Sequence, residues 1–214
     1  MVRSYGQYCA VARSLDVVGD RWVLLIVREL LLRGSCRYTD LRDGLPGVAT
    51  NLLADRLRDL EDAGVVRRID APPPIATTLY ELTPRGSELA PVLHALGTWG
   101  AELMATGQGS DVFLGHWLAF PISRLTDNAP DSPPITIQVH TGDQPVIVET
   151  VDGSVRARRG IADHPDAVVS GPPDALIGLL RGRFGIAEAD EHGLRIEGDP
   201  AALQRLQPAP STQQ

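Results

Sequence analysis

Apolar residues recur at helical spacing over residues 9–18 and 20–32, and Gly19 between the two runs predicts where the first helix stops. A short helix fits residues 38–43, and the glycines and proline of Gly44-Leu-Pro-Gly47 predict a turn after it. Residues 49–63 are again helical in pattern, with Leu53, Leu57 and Leu60 on one side and Gly64 as the C-terminal stop. Two short β-rich runs, 65–69 and 77–82, flank a proline-rich stretch and predict a hairpin with a stiff tip. Thr83 as N-cap and Pro84 at the first helical position then open a long helix towards Ala105.

Beyond Gly107-Gln-Gly-Ser110, a linker by composition, residues 112–125 fit one more helix before a proline-rich break at 129–134. The period then changes: 135–139, 145–149 and 153–158 alternate apolar and polar residues as an antiparallel sheet with one covered face does. Two further strands (167–170, 194–196) and two helices (173–181, 200–206) follow. The expected fold is a mainly α winged helix-turn-helix domain followed by an α+β domain with an antiparallel sheet. The expected boundaries are 1–106 for the first domain, 107–126 for linker and connecting helix, 127–207 for the second domain and 208–214 for a disordered tail.

Composition sets outer bounds. A chain of 214 residues suits two domains of about 100 residues each. Its 43% hydrophobic and 22% charged residues are those of a globular protein with a core. No apolar run approaches the roughly 18 residues of a membrane span, and the polar N-terminus lacks the pattern of a secretory signal, so a cytoplasmic location and no membrane partner are expected. Cys9 and Cys36 are then thiols. All 20 basic residues are arginine, and the net charge of −7 argues against a protein that coats nucleic acid. The acid is concentrated late: residues 1–107 carry 12 Arg against 13 acidic residues, residues 108–214 carry 8 against 14. A near-neutral first half can still present a local basic face, which is what DNA binding needs.

The helix over 49–63 has the make-up of a recognition helix, with its leucine stripe for the core and small polar residues elsewhere. Thr50, Asn51 and Ala54 occupy the N-terminal turns of the outer face, where Asn51 suits pairing with adenine. Arg56, Arg58, Arg37, Arg67 and Arg68 are candidate phosphate contacts, with Tyr38, Thr39 and the wing threonines Thr77 and Thr78. A plainer alternative for Arg58 is a solvated surface pair with Asp55 or Asp62.

Several segments together resemble the HxlR-type bacterial transcription regulators. They are Cys9, Ser14-Leu-Asp-Val-Val-Gly-Asp-Arg-Trp22, Arg37-Tyr-Thr-Asp-Leu41, Leu45-Pro-Gly-Val48, Leu53-Ala-Asp-Arg-Leu57, Leu60-Glu-Asp-Ala-Gly64, Tyr80-Glu-Leu-Thr83, Gly86 and Trp99. The resemblance spans about 100 residues. It implies a homodimer, formed through the first helix and the helix of residues 84–105, on a palindromic double-stranded DNA operator. The chain departs from the family pattern at Ala10 (usually Pro), at the wing tip Pro73-Pro-Ile-Ala76 (usually with an Arg) and at Ala49 (often a capping Ser). A missing cap costs up to ~2 kcal/mol if nothing replaces it. Cys9 stands where some members carry a redox-sensing cysteine. Redox sensing through Cys9 is therefore one alternative, a half-buried packing residue the other.

Residues 117–206 resemble the sterol-carrier-protein type of lipid-binding domain in pattern, through strand 135–140, Asp152-Gly153, Arg158-Arg-Gly160, Asp166-Ala-Val-Val-Ser170, Leu179-Leu-Arg-Gly182 and Ile196-Glu-Gly-Asp199. That resemblance implies an apolar or fatty-acyl-like small molecule, held by Phe113, Trp117, Phe120, Val139, Val148, Leu176, Leu180 and Phe184. The same residues equally describe an ordinary core. The five histidines show no metal-ligand spacing with the two cysteines, and no nucleophile elbow, phosphate loop or dinucleotide fingerprint is present. No enzyme, catalytic residue, metal or cofactor is expected. The leading expectation is a dimeric DNA-binding transcription regulator modulated by an apolar ligand. A lipid carrier using the winged helix only to dimerise is a further alternative.

Overall fold

The computed structural model describes residues 4–71, 77–104, 107–122, 125, 127–142 and 144–206. The wing tip at 73–76 and the tail at 208–214 lie outside them. The chain divides into two units, Met1–Trp99 and Gly100–Gln214.

In the first unit α1 (Ala10–Val18) and α2 (Val23–Arg33) are joined by a turn in which Trp22 takes a left-handed conformation, φ 80°. That turn delays α2 from the expected residue 20 to Val23. A two-residue strand β1 (Cys36–Arg37), which the sequence does not announce, leads into α3 (Tyr38–Asp43). Next come α4 (Thr50–Asp62), β2 (Val66–Asp70) and β3 (Thr78–Leu82). The three strands form an antiparallel sheet in the order β1-β3-β2. Leu53, Leu57 and Leu60 are fully buried with Ile26, Leu41 and Leu45, each contributing about 1.5–3 kcal/mol of burial. Buried Glu29 is held by Arg28 and Arg33, both at 2.9 Å.

The expected long helix is interrupted. Thr83 caps α5 (Pro84–Ser87), its hydroxyl accepting the Gly86 N–H at 3.1 Å, and α6 (Ala90–Gly100) starts afresh before a 3-10 turn, Ala101–Met104. Pro91 explains the break: it has no N–H to give the Ser87 carbonyl, and its ring crowds that carbonyl. Gly86 is required by close approach, since a Cβ there would lie 2.1 Å from the Val65 carbonyl oxygen.

In the second unit the helix expected over 112–125 reduces to a 3-10 turn, Gly115–Leu118, running into α7 (Ala119–Ile122). Leu118 and Ile122 are buried in the unit's core. The sheet contains β4 (Thr136–His140), β5 (Val146–Val151), β6 (Ser154–Arg159), β7 (Ala167–Ser170) and β8 (Arg195–Gly198), in the order β6-β5-β4-β7-β8. It is mixed, not antiparallel as expected, because β7 pairs with β4 in parallel. After the β5–β6 hairpin, residues 160–166 carry the chain back to the other side of β4. The Gln138 side chain accepts the Ala162 N–H at 2.7 Å on that path, and β7 therefore enters from the same end as β4. Helix α8 (Pro173–Leu180) packs on the sheet through Leu176 and Leu179, and α9 (Pro200–Gln204) through Ala202 and Leu203.

Candidate nucleic-acid interface

Helix α4 is amphipathic because its leucines fall three and four residues apart. At about 100° per residue, Asn51 projects opposite that stripe, with Asp55, Arg58 and Asp62 following along the same face. Thr50 and Asn51 are exposed. Ala49, the N-cap residue, is extended and gives no side-chain cap. The Tyr38 hydroxyl donates to the Thr50 carbonyl at 2.7 Å, which brings the starts of α3 and α4 together. Burial and nearby Tyr80 hold the Tyr38 phenol above its usual pKa, so it stays a donor. Exposed Arg37 and Thr39 flank it, and no described carboxylate pairs with the Arg37 guanidinium.

The other candidate cations are differently placed. Arg58 pairs with Asp55 along α4, the surface pair that the sequence left open. Arg56 bridges Asp20 at 3.0 Å and Asp59 at 2.9 Å. On the wing, Arg67 faces Glu81 across the β2–β3 pair, Nε to oxygen 2.6 Å, and the Ser35 hydroxyl donates to the same carboxylate at 2.7 Å. These two hydrogen bonds, Ser35 first, hold Glu81 below the usual carboxylate range. Arg68 donates to Glu61 at 2.7 Å and lies 5.6 Å from the centroid of the Tyr80 ring. Thr78 reaches Asp70 at 3.4 Å, and Thr77 accepts the Ala71 N–H through its carbonyl. The sequence reading missed Asp20 and Glu81 as partners; Asp20 was visible only as part of Gly19-Asp-Arg-Trp22.

Cys9 is exposed at the N-cap of α1, and hydrogen bonds from the Ala12 and Val11 N–H groups lower its thiol pKa. Arg13, one turn on, turns towards Asp16 at 3.7 Å and Ser4 at 3.4 Å. Cys36 is buried, and burial pushes its thiol up to about 12.

In the second unit Val139, Val148, Leu176 and Leu180 share one core cluster, with Phe113 and Phe184 packed against it. Phe113 meets Trp117 edge-on at 6.2 Å, and Phe184 stacks on His192 at 3.9 Å. Phe120 is half-buried on α7. A surface depression of about 380 Å³ lies elsewhere, bordered by Asn128, Ile135, Asp199 and Arg205. Among the described residues no cluster of metal-ligating side chains occurs, and no helix is long and apolar enough to cross a membrane.

The HxlR-like helix-turn-helix family matches residues 17–108. The uncharacterized HTH-type transcriptional regulator YvaP of Bacillus subtilis is 38% identical over 90 residues, 42% of this chain and 82% of YvaP. The chain belongs to the HxlR-like family. Another relative, the uncharacterized HTH-type transcriptional regulator sll1512 of Synechocystis, is 39% identical over 45% of this chain and 71% of that protein. The solved structure of the reduced form of the transcriptional regulator YodB from B. subtilis is 27% identical, covers 47% of this chain and 99% of YodB, and gives a TM-score of 0.41. As an HxlR-like protein the chain is a DNA-binding transcription regulator, and the family is one of regulators rather than enzymes.

Proposed function

We propose that this HxlR-like chain binds a palindromic operator as a homodimer, with α4 in the major groove and Thr50 and Asn51 reading base edges. The observation carrying this is the N-terminus of α4, without a side-chain cap and exposed and uncharged at Thr50 and Asn51, near Arg37, whose guanidinium has no ion-pair partner among the described residues. Arg37, Tyr38 and Thr39 line the approach to the backbone. Arg58, Arg67, Arg68, Thr77 and Thr78 are the further phosphate contacts, the paired arginines having to leave a carboxylate to act. Dimerisation is supported by the apolar side chains that α1 and α6 leave exposed: Val11, Leu15, Val92, Leu96 and Trp99, the last 74% exposed. Asn51→Ala should abolish the footprint on a duplex selected by the wild-type protein from a random-sequence library, and Leu96→Glu should give a monomer by light scattering. A footprint that survives Asn51→Ala removes α4 as the reader.

The division of labour follows the expected segments, 1–106 for DNA and dimerisation and 127–207 for response to an apolar small molecule, with 107–126 between them. Support for the ligand is the size of the apolar cluster around Val139, Val148, Leu176 and Leu180. Because these side chains pack on one another, a ligand must part them to enter. Native mass spectrometry of the purified protein tests this: an added non-covalent mass supports it, and a bare chain after a lipid screen removes it. A second reading, redox sensing through Cys9, is favoured by that thiol's exposure and the two N–H groups that stabilise its thiolate.

A further inference from the structure

Arg56 fits poorly as a phosphate contact. It lies on α4 about 140° round from Asn51 by helical periodicity, at the flank of the buried leucine stripe. Its side chain is 21% exposed, and the two ends of its guanidinium are taken by Asp20 and Asp59. Its Nε is buried with no hydrogen-bond partner among the described residues. A phosphate would have to displace two carboxylates from a guanidinium that has little open face. Asp20 belongs to the α1–α2 turn, and that turn touches the approach to α4 a second time. The indole of Trp22 lies 4.0 Å from where a Cβ would stand on Gly47, a residue at φ 85° in the turn before α4. The segment Asp20–Trp22 therefore meets the α3–α4 turn at Gly47 and the middle of α4 at Arg56. Two contacts, ahead of the helix and along it, tie α4 to the α1–α2 turn. Trp22 itself holds the left-handed conformation between these two points, at φ 80°.

The geometry points to Arg56 as a positioning residue, clamped by Asp20 so that the α1–α2 turn sets the angle at which Thr50 and Asn51 are presented to bases. This rests on α4 being the recognition helix. It makes Asp20, an acid, a contributor to the recognition of a polyanion.

The test uses the full chain and the library-selected duplex, with affinity measured by fluorescence anisotropy across a salt series, for Arg56→Gln, Asp20→Asn, the double variant and Asn51→Ala. Positioning predicts that both single variants weaken specific binding alike, by roughly tenfold per half-site, the loss of one correctly read base pair in each. The double variant should be no worse than either single one. The salt slope and binding to an unrelated duplex should stay as in wild type. A phosphate contact predicts the opposite for Asp20→Asn, because freeing the cation and removing an acid tightens binding, while Arg56→Gln lowers the slope by about 0.9 per protomer, about 1.8 for the dimer. Asp20→Asn tightening binding, or leaving it unchanged, overturns the proposal. Asp20 is 54% exposed, so its variant keeps the test open should Arg56→Gln fail to fold. A fall in specific and non-specific binding together with a lowered melting temperature would show a merely structural pair and overturn it too. If Asn51→Ala leaves specific binding intact, the fault lies with α4 as the reader and not with the clamp.

Discussion

Replacing Ala49 by Ser should stabilise the first unit, and the size of the gain follows from the helix terminus. Ala49 sits at the N-cap of α4 with φ −71° and ψ 137°, the extended geometry of a capping residue, and its side chain accepts nothing. The first internal bond of α4 runs from the Leu53 N–H to the Ala49 carbonyl at 3.0 Å, so the N–H groups of Thr50, Asn51 and Leu52 have no partner within the helix. Ala49 is exposed, which leaves room for a hydroxyl. A serine Oγ accepting the Asn51 or Leu52 N–H is worth about 1 kcal/mol. In a unit of about 100 residues that raises the melting temperature by roughly 4–8 °C. Urea unfolding of the full chain, read through Trp22 after Trp99→Phe and Trp117→Phe, reports the region directly, because the Trp22 indole lies beside Gly47 in the turn before α4. The midpoint should rise with the slope unchanged. Ala49→Val, which keeps the backbone and lacks an acceptor, should give no gain. A serine variant no more stable than wild type, or a valine variant equally improved, would refute capping as the missing term.

Asp55→Asn should tighten DNA binding and steepen its salt dependence by about 0.9 in slope per protomer, about 1.8 for the dimer, because it releases Arg58 on the face that carries Asn51; an unchanged slope would place Arg58 away from phosphate. Asp127, 2% exposed and bonded to Arg205 at 2.9 Å, is held below its ordinary pKa of 3.8, chiefly by that guanidinium. Its stabilising contribution is therefore complete above the ordinary value and is lost as pH falls through the lower folded value. Acid titration followed at Trp117 should show that loss, and Asp127→Asn should flatten the curve there. Cys9 should react with a maleimide faster than free cysteine at neutral pH, Cys36 far more slowly; equal rates for Cys9 and free cysteine would end the redox reading.

Elements with a strong period were legible in the sequence: the stripe of Leu53, Leu57 and Leu60 located α4, and Thr83-Pro84 located a helix start. Breaks within helical patterns were not. The long helix expected from Pro84 to Ala105 took no account of Pro91, whose missing N–H breaks it after α5. The left-handed Trp22 shortens α2 where apolar spacing alone extends it. The parallel pairing of β4 with β7 escaped because alternation reports which face of a strand is buried and says nothing of its direction. The same alternation describes an ordinary core as well as a ligand's lining, so periodicity alone does not choose between them.

At the candidate interface the sequence supplied the cations but, Arg58 apart, not their partners, and partners decide what a cation can do. Arg67 meets Glu81 and Arg68 meets Glu61 from 14 and 7 residues away, and Arg56 meets Asp20 across the fold. Four of the five arginines expected to touch phosphate thus begin in ion pairs, and Arg37 alone does not among the described residues. An exposed pair is worth only about 0–1 kcal/mol, so phosphate can outbid Glu81 or Asp55 for its arginine. The freed carboxylate then faces the polyanion, which offsets part of the gain. Under the proposed reading, such an interface should bind non-specific DNA weakly and draw its selectivity from few base contacts, repeated by a second copy. Under those conditions the angle at which α4 is held matters more than the number of arginines around it.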